Sequence, residues 1–228
     1  MSAIRVGLMV PINNTTMARE LPAWLPAGSA CETLKVPRGP GLLTRDTIPD
    51  YVEGAIGLAS QYARTQPDVI AYGCTAAGFL MGPQADAALC ERLGEVSGRP
   101  VVTTANAMVK VLERSGARRV AVVTPYKDEV NQQLIRYIQA SGIEVDRLNA
   151  IPVNNTDELG RVSADEVDAM ARRTVTDRHD ALFIACSQLP TLDILQGLRR
   201  DLGITVWSSI AATAAIAEET VSSIQQGG

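Results

Sequence analysis

The chain has 228 residues, 46% apolar and 20% charged, with a formal net charge of −4. That is ordinary globular composition, long enough for one large domain or two small ones. It offers no basic run to track a phosphate backbone, no apolar stretch near the roughly 20 residues that span a bilayer, and no signal-peptide cleavage pattern behind Met1-Ser2-Ala3-Ile4-Arg5. Neither nucleic acid nor membrane is therefore expected as a partner. A cytoplasmic location is expected, and there the four cysteines stay reduced. None of them forms a Cys-x-x-Cys pair and His179 is the only histidine, so no metal site is expected.

Along the chain, short apolar runs alternate with longer segments of helical period, which predicts parallel sheet with crossover helices. Strands are expected at 5–10, 32–36 and 69–72. A helix over 47–64 precedes the third, with Ile48, Val52, Ile56, Ala59 and Ala63 at helical spacing and Pro67 beyond its end. A strand at 101–103 and a helix over 105–114 follow. The remainder reads as strand 119–123, helix 129–140, strand 144–148, helix 164–176, strand 181–185, helix 192–201, strand 205–208 and helix 211–224.

These elements repeat. Arg5-Val6-Gly7-Leu8-Met9-Val10-Pro11 lines up with Arg119-Val120-Ala121-Val122-Val123-Thr124-Pro125, and the run from Pro67 to Cys74 with the run from Arg178 to Cys186. Gly98-Arg99-Pro100-Val101-Val102-Thr103-Thr104 resembles Gly203-Ile204-Thr205-Val206-Trp207-Ser208-Ser209. Three segments in one order at nearly one spacing indicate duplication. The expected fold is α/β, with two pseudo-symmetric Rossmann-like units, each with a parallel sheet, and an active-site cleft between them. Residues 1–103 with 207–228 form the first unit and 104–206 the second.

Ligands of open parallel sheets bind outside the carboxyl ends of strands. Cys74 and Cys186 each end the equivalent strand of their half, so both are expected to face one cleft as the catalytic pair. Each precedes a turn that opens a helix and is followed by a hydroxyl residue, Thr75 or Ser187, read as a donor to the ligand. Cys31 and Cys90 lack this context and are expected to be small buried hydrophobes. The segment Pro11-Ile12-Asn13-Asn14-Thr15-Thr16, the run Pro125-Tyr126-Lys127 and the loop Ile151-Pro152-Val153-Asn154-Asn155-Thr156 follow other strands. Their amide and hydroxyl groups suit a carboxylate held without a metal. His179 precedes its strand and is expected in a surface loop, at the wrong end for catalysis. No Gly-x-Gly-x-x-Gly or Walker pattern points to nucleotide.

On these residues the chain resembles the aspartate/glutamate racemase superfamily, most closely its maleate cis–trans isomerases. The likeness covers nearly the whole chain. It rests on the run from Val10 to Met17, similar to the family's Pro-Ser-Ser-Asn-Thr opening, on Thr124-Pro125-Tyr126 and on the two cysteine turns. The resemblance implies a cofactor-free enzyme for a small carboxylic acid, assembled as a homo-oligomer. By the same resemblance Asn14, Tyr126 and either Asn154 or Asn155 hold substrate carboxylate, with Thr15, Thr75 and Ser187 around them. It further implies that a Cys74 thiolate adds to the alkene of maleate and Cys186 protonates the neighbouring carbon, which asks for a thiol pKa near 8.5 to fall at Cys74. Arylmalonate decarboxylase is similar through Gly160-Arg161-Val162 and Thr191-Leu192-Asp193 but has glycine in place of Cys74. Racemases of the superfamily show Cys-Asn-Thr or Cys-Thr-Glu turns that this chain lacks. A racemase or epimerase, a decarboxylase and a non-catalytic sensor of small acids stay open as alternatives.

Overall fold

The computed structural model of the chain describes residues 2–39 and 41–227, so the outermost ends of the first expected unit lie outside it. In the first half come β1 (Arg5–Pro11), α1 (Thr16–Trp24), β2 (Ala30–Val36), α2 (Ile48–Ala59), α3 (Tyr62–Thr65), β3 (Val69–Tyr72), α4 (Thr75–Phe79), α5 (Pro83–Ser97), β4 (Val101–Thr103) and α6 (Thr104–Arg114). The second half follows with β5 (Arg119–Thr124), α7 (Asp128–Gln139), β6 (Glu144–Ala150), α8 (Thr156–Arg161), α9 (Ala164–Thr174), β7 (Ala181–Ile184), α10 (Leu195–Leu202), β8 (Thr205–Ser208) and α11 (Ser209–Gly227).

The described strands form two all-parallel sheets of the same order, β2-β1-β3-β4 and β6-β5-β7-β8. The repeat seen in the sequence is thus a repeat of topology. Central strands of such sheets are covered on both faces and need continuous apolar runs. Val69 to Tyr72, Val120 to Val123 and Ala181 to Ile184 are accordingly buried throughout. Each large side chain so buried contributes about 1.5–3 kcal/mol. Helices α6 and α11, which leave β4 and β8, pack on each other, and α11 also packs on α1, β3 and β4. Trp207 and Ser208 remain in the second sheet, paired with Phe183 and Ile184, so a boundary drawn at 207 falls inside β8. No described helix is long and apolar enough to cross a membrane.

Four helices lie where none was expected. The first, α1, buries Met17, Glu20 and Leu21 at helical spacing despite Pro22 in its last turn. Pro83 starts α5 at its first position and Gly98 ends it in the left-handed region (φ 67°). Short α4 and α8 occupy segments read as turn and loop. The expected helix over 47–64 breaks at Ser60 and Gln61 into α2 and α3.

His179 is not a surface residue. A bulge in β6 at Asp146 interrupts its pairing with β5. The Asp146 carboxylate reaches the buried imidazole, with Oδ2 3.0 Å from Nε2. The Thr176 N–H donates to Nδ1 at 2.9 Å, which leaves the ring proton on Nε2, facing the acid. The residue does precede β7, at the end of the sheet away from the thiols.

Candidate active site

Cys74 and Cys186 stand two residues beyond β3 and β7, and both line one cavity of about 280 Å³. They are 5% and 7% exposed, enough for contact with a ligand and too little for free solvation. Gly73 lets Cys74 reach this place. A β-carbon there would come within 2.7 Å of Met17 Sδ and Val10 Cγ1 and 3.0 Å of the Met9 carbonyl, to which the Gly73 N–H donates at 2.7 Å. Any side chain would therefore push the thiol turn off β1.

Asn14, Thr75, Tyr126, Asn154 and Ser187 also line the cavity. Two expected residues do not. Thr15 is turned away, its N–H donating to Gln188 Oε1 at 3.0 Å and its hydroxyl accepting from Gln188 Nε2 at 3.2 Å. Asn155 caps α8, accepting from the Asp157 and Glu158 N–H groups at 3.0 and 2.9 Å. Of the two asparagines left open in that loop, Asn154 is the one that lines the cavity, and its N–H and Nδ2 both donate to Glu158 Oε2.

The two hydroxyls read as ligand donors are committed elsewhere. Ser187 donates to the Gly73 carbonyl at 2.7 Å and accepts from Asn14 Nδ2 at 2.9 Å, while Asn14 Oδ1 accepts from the Met17 N–H at 3.0 Å. Thr75 donates to Ser209 Oγ at 3.1 Å and also stands beside the Tyr126 hydroxyl as a hydrogen-bond partner. Each hydroxyl that follows a thiol thus ties its turn to the other repeat beneath the cavity. Asn14 keeps one amide hydrogen for a ligand. Glu20 of α1 adds a further tie, its Oε2 accepting from the Thr191 and Leu192 N–H groups at 3.0 Å each.

Each sulfur has its own donors. The Gln188 N–H donates to Cys186 Sγ at 3.4 Å, and the Tyr126 hydroxyl also stabilises that sulfur as thiolate. Tyr126 is held by an edge contact with Phe79 of α4 (ring centroids 5.4 Å apart) and by Asn131 Nδ2, which donates to its carbonyl at 2.9 Å. Around Cys74 the corresponding groups are the Ala77 N–H and the Tyr51 hydroxyl from α2. Tyr51 Oη is buried and, among the described residues, has no partner of ordinary hydrogen-bond geometry, so its approach to the sulfur is a loose one. Sequence reasoning passed over Tyr51, Asn131 and Gln188. Tyr51 lies within a helical pattern already explained by its apolar positions.

Burial outweighs these donors. It pushes the Cys74 thiol up to about 11 and raises Cys186 as well. The expected fall at Cys74 is absent, because an apolar surround disfavours the charged form more than two or three donors favour it. Tyr126 is raised too, first by burial and then by the neighbouring thiol. The unliganded site thus holds two neutral thiols and a neutral phenol at pH 7.

A duplicated α/β fold with a thiol from each repeat in one small cavity, flanked by amide and phenol donors, defines an enzyme that works on small acids by thiol chemistry. The family model for arylmalonate decarboxylase matches residues 6–226, and the chain belongs to that family. It is 30% identical to a maleate isomerase of Nocardia farcinica over 92% of this chain and 87% of that one. To a maleate isomerase of Geobacillus stearothermophilus it is 28% identical, over 92% and 88% of the two chains. Among solved structures, a Pseudomonas putida maleate isomerase variant with maleate superposes with a TM-score of 0.85 at 26% identity, covering 93% of this chain and 89% of that one. A Nocardia farcinica maleate cis–trans isomerase mutant with a covalently bound succinylcysteine intermediate gives 0.82 at 28%, covering 93% and 90%.

Proposed function

We propose that the chain is a cofactor-independent cis–trans isomerase that converts maleate to fumarate. The observation that carries this is the placement of Cys74 and Cys186 in one cavity, each with its own donors. Rotation about a carbon–carbon double bond is prohibitively slow until a nucleophile adds to it. The fraction of Cys74 that has released its proton to solvent adds its sulfur, as thiolate, to one alkene carbon, and the π electrons move onto the second carbon and its carboxylate. Cys186 then gives its proton to that carbon, forming a succinyl thioether. After rotation about the new single bond, Cys186 takes a proton back, the C–S bond breaks and fumarate leaves. Asn14, Asn154 and Tyr126 supply neutral donors to the carboxylates, where the charge develops. Support comes from the maleate isomerases this chain resembles over nearly its full length and from the succinylcysteine held by one of them.

Proton NMR of maleate with the purified chain and no added cofactor is expected to show fumarate growing in. Cys74→Ala and Cys186→Ala are each expected to lower the rate by several orders of magnitude with the fold intact. One observation favours a second activity: Leu42, Leu43, Val130 and Leu159 give the cavity an apolar wall that suits an aryl group. Carbon dioxide released from an arylmalonate, undiminished in Cys74→Ala, would establish decarboxylation in place of isomerisation.

A further inference from the structure

Arg38 lies two residues beyond β2 and lines the cavity with the thiols. One guanidinium nitrogen, Nη2, donates to the Gly41 carbonyl. Among the described residues its buried Nε has no acceptor and no carboxylate forms an ion pair with it. Its charge reaches inward, favouring the thiolate form of both Cys74 and Cys186. The matching position of the second repeat, two residues beyond β6, is Pro152.

An arginine donor buried without an acceptor is costly to leave unmade, and a guanidinium fits a carboxylate in bidentate fashion better than any other side chain. Of the other side chains lining the cavity, Asn14, Tyr126 and Asn154 are neutral and can serve one acidic group, and although Lys127 lines it too, the cationic charge felt at both thiols is that of Arg38. Two negative charges in a largely apolar cavity would be left uncompensated without a cation. We propose that Arg38 holds the second acidic group of the substrate, so that the site selects dianions over monoanions of equal length. This deepens the isomerase proposal and rests on it for the identity of the acid.

The test does not require turnover. Protection of Cys74 and Cys186 from iodoacetamide at alkaline pH, read by peptide mass, is measured for the full chain against graded succinate and butyrate. Succinate is expected to protect the wild type at roughly tenfold lower concentration, a difference of about 1.4 kcal/mol. Arg38→Gln should erase that preference by weakening succinate while leaving butyrate unchanged, and Arg38→Lys should keep part of it. An undiminished preference in Arg38→Gln, equal weakening of both acids, or no protection of the wild type by either would each overturn the proposal. Maleate turnover assayed in parallel separates the two ideas. A wild type that does not isomerise maleate, yet loses its succinate preference on Arg38→Gln, overturns the isomerase proposal and leaves Arg38 in its role.

Discussion

Replacing Ser187 by alanine separates a structural tie from a ligand contact. The Ser187 hydroxyl donates to Gly73 O at 2.7 Å and accepts from Asn14 Nδ2 at 2.9 Å, both buried and both reaching the other repeat. Its removal orphans one acceptor and one donor, and each such loss costs about 1–3 kcal/mol. The adjoining cavity can admit water to part of the gap, which places the total near the lower end, about 2–3 kcal/mol. The Gly73 carbonyl precedes Cys74 directly, so the thiol should also drift, and misplacement of about 1 Å costs on the order of a hundredfold in rate. Urea unfolding and steady-state kinetics on maleate provide the assay. The expected result is lower stability and a kcat reduced at least tenfold, with KM within about twofold of wild type. A cycle with Asn14→Ala should show coupling of about 0.5–3 kcal/mol, since the two residues share one bond. Unchanged stability with a raised KM would refute this reasoning, because the hydroxyl would then be facing the substrate.

Burial raises the Cys74 thiol to about 11, so its thiolate fraction should climb with pH instead of levelling off. In the unliganded chain, alkylation of Cys74 is expected to speed up tenfold per pH unit from pH 7 to about 10, whereas an unperturbed thiol of pKa near 8.5 levels off above about 9. A plateau below pH 9 in site-resolved mass data would mean that the thiolate is already the main form there before substrate binds. His179→Ala should cost about 1–3 kcal/mol in thermal or urea unfolding by orphaning the Thr176 N–H, while Asp146 keeps its pairing with Arg178, and turnover should be unchanged. A lost kcat at full stability would place the imidazole in the chemistry after all.

The strands were legible because buried parallel strands are continuous apolar runs, and their repetition exposed two units before any contact was known. Helices were harder. Pro22 hides α1, and the apolar stripe of α5 is diluted by alanine and by the buried polar residues Asp86 and Ser97. The thiols could be found from their place at equivalent strand ends. What surrounds them could not, because orientation is a tertiary property. Thr75 and Ser187 were marked by a true regularity, a hydroxyl after each thiol, yet their hydrogens point beneath the cavity to Ser209 and Gly73. Asn14 and Thr15 are neighbours that the start of α1 turns in different directions. Arg38 sits in the Pro-Arg-Gly-Pro-Gly segment from Pro37 to Gly41, where local chemistry indicates only a turn. Its path to the thiols depends on β2 ending beside the cavity.

The central claim is that sulfur of Cys74 bonds to substrate carbon while Cys186 moves the proton. The most direct measurement is intact and peptide mass of enzyme quenched by acid during turnover of maleate, in the wild type and in Cys186→Ser. A succinyl adduct on Cys74 is expected, and slowing proton transfer in Cys186→Ser should not move it to another residue. Fumarate formed while Cys74 stays unmodified at every time point, or an adduct found on Cys186 alone, would contradict the account.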